Sequence, residues 1–71
     1  MAGYTEGTTV KWSWVNGTAK GEITNVYTQK ITRTLKGTEV TRDADDDCPA
    51  YLIEQDDGDE VLKSHSEVEK A

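Results

Sequence analysis

Val10-Lys11-Trp12-Ser13-Trp14-Val15-Asn16-Gly17-Thr18-Ala19-Lys20-Gly21-Glu22-Ile23 alternates large apolar and polar residues on both sides of an Asn-Gly step. Alternation with period two describes a strand with one covered face, because successive side chains point to opposite sides of the pleat. Asn-Gly is the strongest short signal for a hairpin, since a type I′ turn needs positive φ at both central residues. A two-residue loop at Asn16-Gly17 predicts Val15 opposite Thr18, Trp14 opposite Ala19, Trp12 opposite Gly21 and Val10 opposite Ile23. Each large ring then meets a small residue, Lys11 meets Glu22 on the other face, and Trp12 and Trp14 both turn toward a core.

Downstream, the second strand continues through Val26 and Tyr27, with the apolar spacing widening from two to three between Ile23 and Val26. That change predicts a bulge or bend near Asn25. Residues 31–35 form the next strand, followed by a turn at Lys36-Gly37 and a strand around Val40-Thr41. A two-residue loop places Arg33 opposite Val40; a four-residue loop places Leu35 opposite Val40, and the apolar pairing favours the second. An acidic loop with Asp43, Asp45, Asp46 and Asp47 ends at Pro49, an allowed first residue of a strand. Tyr51 and Ile53 share one face of that strand, Asp56-Asp57-Gly58 turns the chain, and Val61-Leu62-Lys63 returns. Ser64-His65-Ser66-Glu67 has the form of a capping box, so a short helical turn there sets Val68 against the end of the fold. Five to six short antiparallel strands with Gly-containing turns make an all-β barrel closed by that C-terminal turn. Residues 1–7 read as a flexible lead and 8–71 as a single domain.

Composition limits what such a domain can be. Val, Ile, Leu and Phe supply only 12 of 71 residues, and the net charge is −6, which on composition alone borders on disorder. Two Trp, three Tyr, ten Thr and nine Val or Ile tip the balance toward a folded, extended chain. The lone Cys48 forms no internal disulfide, and no charged leader or long apolar run is present, so the expectation is a cytoplasmic protein with a reduced thiol and no membrane partner. Acidity disfavours phosphate backbones, whose binding depends on Lys and Arg.

The ordered set of segments resembles the hypervirulence-associated Tudor-domain family. The resemblance rests on Val10-Lys11-Trp12, on Gly21-Glu22-Ile23 with Val26, on Gly37 with Val40-Thr41-Arg42, on Pro49-Ala50-Tyr51-Leu52-Ile53-Glu54, and on the run from Lys63-Ser64 to Glu67. It departs where the family often has Gly-Asp before the first strand and this chain has Gly7-Thr8. What it implies is a small SH3-like, Tudor-like barrel; Tudor here describes a shape more than a ligand.

Candidate chemistry is sparse. Asp43, Asp45, Asp47 and Glu54 fall at positions one, three, five and twelve of an EF-hand-like loop, but Cys48 stands where Gly is needed and strands flank the loop, so it reads as solvated and without metal. Trp12, Trp14, Tyr27 and Tyr51 could together form an aromatic cage for methyl-lysine, although Trp12, Trp14 and Tyr51 are also needed for core volume. Lys11, Lys20, Arg33 and Arg42 could form a basic strand face for nucleic acid. One His and one Cys make no zinc site, and no catalytic constellation is present, so the reading is neither an enzyme nor a cofactor protein. The expected role is a small interaction module for a partner protein or a second copy of itself, as in a homodimer. The alternative is nucleic-acid binding through the basic residues.

Overall fold

The computed structural model describes residues 3–71. Seven strands follow in order: β1 (Thr9–Trp14), β2 (Gly17–Tyr27), β3 (Ile31–Leu35), β4 (Thr38–Arg42), β5 (Ala50–Gln55), β6 (Glu60–Ser64) and, after a 3-10 turn at His65–Glu67, β7 (Glu69–Lys70). One five-stranded antiparallel sheet has the order β6-β5-β2-β1-β7, and β3-β4 forms a separate hairpin. β6 and β7 lie at opposite edges of the large sheet, yet only the 3-10 turn and Val68 join them. So short a connection requires the sheet to curl until its edges meet, which gives the SH3-like barrel.

The inner face carries Val10, Trp12, Ile23, Tyr51 and Ile53, all buried, with Tyr4, Ala19, Val26, Val61 and Val68 packed against them. Val68 therefore takes the position expected for it. Gly21 sits where two backbones approach: a Cβ there would lie 2.6 Å from the Glu54 carbonyl oxygen and 2.7 Å from Ile53 Cγ2. On the opposite face the cross-strand partners Leu52 and Leu62 are also buried, and the β3-β4 hairpin lies against β6.

The opening ribbon differs from its predicted register. Trp14 pairs with Gly17, Trp12 with Ala19, Val10 with Gly21 and Lys11 with Lys20. The loop is Val15-Asn16, and Gly17 alone takes positive φ (135°), so Asn-Gly does not occupy both central positions of the turn. Because the slip is an even number of residues, the buried face stays the same. Lys11 instead approaches Glu69 of β7, at 3.9 Å. Trp12 is core as expected, but Trp14 is 53% exposed. β5 pairs with β2 only from Gly21 onward and β7 reaches only Val10 and Lys11, so among the described residues no further strand covers the hairpin tip.

The predicted bulge is present: the β2-β5 register shifts between Ile23 and Asn25, and the Thr24 hydroxyl donates to the Leu52 carbonyl across the gap, at 3.1 Å. In the middle hairpin the four-residue loop is corrected to a two-residue one. Leu35 pairs with Thr38 and Arg33 with Val40. Lys36 (φ 52°) and Gly37 (φ 76°) both adopt the left-handed conformation that a tight primed turn demands. Turn geometry prevails here over apolar pairing.

Candidate functional site: a groove beside the N-terminal arm

Of the lead 1–7, residues 1 and 2 lie outside the described residues. The rest runs along the barrel as an arm. Gly3 has φ 112°, and a Cβ there would come 2.8 Å from Pro49 Cγ and 2.9 Å from the Tyr51 hydroxyl. The Tyr4 N–H donates to the Tyr51 hydroxyl at 2.8 Å, the Lys70 N–H donates to the Tyr4 hydroxyl at 3.2 Å, and the Gly7 N–H donates to the Ile23 carbonyl at 2.8 Å. Tyr51 Oη lies 2.8 Å from His65 Nδ1, and the rings of Tyr4 and His65 pack with centroids 5.1 Å apart. Tyr4, Tyr51 and His65 thus form the aromatic cluster of this molecule. Tyr4 carries no motif; its only sequence signal is an aromatic ring in a lead of small and polar residues.

The arm makes one wall of an open groove of about 700 Å³. Val26 and Thr28 at the end of β2 form the second wall, and Asp46 and Pro49 the third. Tyr4, Val26 and Pro49 give it an apolar lining, while Glu6 and Asp46 add carboxylates. The loop presenting Asp46 is braced from within: Asp45 Oδ1 accepts the N–H groups of Asp47 (3.0 Å) and Cys48 (2.7 Å). Such local Asx bonding fixes a loop without regular structure. Among the described residues, no group of three or more His, Cys, Asp or Glu is spaced to hold a metal ion.

The eight residues singled out from the sequence are scattered. Tyr51 is fully buried, and Trp12 is buried with Lys63 Nζ 5.9 Å from its ring centroid. Trp14 and the half-buried Tyr27 lie at opposite ends of the ribbon and β2, so the four rings do not gather round one opening. Lys11 and Lys20 face each other across β1-β2. Arg33 and Arg42 lie on the other sheet, and Arg42 Nε donates to Glu67 Oε1 at 2.9 Å. Glu67 also accepts the Ser64 N–H at 2.9 Å. Burial pushes the Glu67 carboxyl up, but the Ser64 N–H and Arg42 together outweigh it and hold the group below the usual carboxylate value.

A curled sheet of this order with a surface groove defines a small SH3-like barrel of the binding-module type. The pattern of the family described as Hypervirulence associated proteins TUDOR domain matches residues 7–68, and the chain belongs to that family. No curated protein and no solved structure matches the chain. Among the described residues, no helix is long and apolar enough to cross a membrane.

Proposed function

We propose that this Tudor-type domain is a protein-binding module whose site is the groove between the N-terminal arm, the end of β2 and the acidic loop. The observation that carries this reading is the union of an apolar lining (Tyr4, Val26, Pro49) with carboxylates (Glu6, Asp46) in one open groove. That combination suits a short segment presenting an apolar side chain next to a Lys or Arg. The apolar part gains from leaving water, and the cation is selected by charge complementarity. Its volume falls in the range, about 300–1,000 Å³, in which specific ligand sites are found.

An amide-shift titration tests this with a short apolar-basic peptide, its Lys-to-Glu counterpart, and single-stranded RNA and DNA. The basic peptide should move Thr5, Val26, Thr28 and Asp46, and the acidic one should not. Glu6→Lys with Asp46→Lys should weaken the basic peptide by about tenfold or more, the scale set by losing two favourable charge contacts. Shifts centred on Lys11 and Lys20 with RNA, falling steeply with salt, would replace this reading with a nucleic-acid one.

A further inference from the structure

The hairpin tip is the one place among the described residues where large apolar side chains stand in water: Trp14 is 53% exposed and Val15 is 99% exposed. Nothing local requires either residue. The turn's one special conformation is supplied by Gly17, and the ribbon beyond Trp12 has no neighbouring strand to pack on. Trp14 and Val15 are adjacent and form one contiguous apolar patch, and Trp is among the side chains most enriched where binding energy concentrates.

We propose that the chain associates head to tail, with the Trp14–Val15 tip of one copy seated in the Tyr4–Val26–Pro49 groove of the next. This rests on the groove being a binding site, as proposed above, and names a second copy as its occupant. Three observations favour that occupant. The groove, about 700 Å³, has room for an indole and an adjacent Val. The charges are complementary: the ribbon from Gly7 to Gly21 holds Lys11, 3.9 Å from Glu69, and Lys20, and no acidic residue of its own, whereas the groove carries Glu6 and Asp46 and adjoins Asp43, Asp45 and Asp47. The ribbon behind the tip thus carries its two lysines paired on the face opposite Trp14, and their sign matches the groove's carboxylates. Finally, tip and groove lie at opposite ends of the eleven-residue β2, so a copy does not fill its own groove. Because tip and groove lie at opposite ends of β2, one such contact leaves a free tip and a free groove, and further copies add in line or close into a ring.

Sedimentation between roughly 20 µM and 1 mM, where a single-anchor contact is populated, tests this directly. The mean mass of the unaltered chain should rise with concentration past that of a dimer. Trp14→Ser removes the tip from an exposed position, and Thr28→Arg fills the groove from another; unchanged urea midpoints establish that both variants fold. Each variant alone should remain a monomer. An equal mixture should give a dimer that grows no further, because one partner retains the groove and the other the tip. A monomer mass for the unaltered chain throughout, association that survives either substitution, or a mixture that stays monomeric overturns the proposal. The groove reading is judged separately, by peptide titration of Trp14→Ser, whose groove is intact.

Discussion

Tyr51 joins three parts of this structure through one side chain. Its ring is fully buried, its hydroxyl accepts the Tyr4 N–H, and the same oxygen lies in hydrogen-bond contact with His65 Nδ1. One oxygen thus ties the arm to β5 and to the 3-10 turn. Burial pushes its phenol above the usual value near 10, while the Tyr4 N–H pulls the other way and only partly offsets it. A raised folded-state value means that the neutral phenol contributes fully below pH ~10 and that this stability is lost as pH rises through the folded value. Tyr51→Phe leaves two polar partners unsatisfied and should cost about 1–2 kcal/mol at neutral pH. Urea midpoints followed from neutral to strongly alkaline pH should also fall less steeply in the variant. An equal alkaline slope in both proteins would remove Tyr51 as the titrating group.

At the scale of elements, the β3-β4 hairpin is held differently from the rest. No backbone hydrogen bond joins it to the large sheet among the described residues. Side chains fasten it instead: Arg42 to Glu67 near the 3-10 turn, and Lys36 Nζ to Asp59 Oδ2 at 2.6 Å at the hairpin tip. Elements fastened this way open at lower free energy than strands inside a ladder. Glu67 is depressed in the folded state, so its contribution is present above the ordinary carboxylate range and is lost as pH falls through the lowered value. Glu67→Gln should therefore cost about 0.5–1 kcal/mol at pH 7, within the range for ion pairs open to solvent, and progressively less as pH falls through the lowered value. Hydrogen exchange in β3 and β4 should quicken more than in β5. Uniform quickening would mean that the hairpin is not an independent unit.

For the molecule as a whole, charge opposes compaction. Glu22, Glu54 and Glu60 stand directly opposite one another across β2, β5 and β6, all exposed, in a chain of net charge −6. Like charges in register destabilise a sheet, and salt screens them. Thermal midpoints should rise with added sodium chloride, and Glu54→Lys, at the centre of the row, should stabilise the fold by about 0.5–1 kcal/mol while reducing that salt dependence. An unchanged midpoint would show that the row is already screened. Strands β1 to β6, the bulge near Asn25, the turn at Lys36-Gly37 and the Val10–Trp12 face were legible in the sequence, because alternation and turn chemistry are local properties of the chain; β7 and the exact position of the first turn were not. By itself the sequence therefore determined the barrel class and the family resemblance. The hairpin registers, the exposure of Trp14 and the role of Tyr4 were not legible: the registers follow the turn each loop adopts, Trp14 is exposed because β5 and β7 stop short of it, and Tyr4 finds its partners only when the arm meets β5 and the 3-10 turn. The groove is wholly a tertiary feature. Its walls come from the arm, the end of β2 and the loop before β5, segments far apart in the chain that meet only once the sheet has curled.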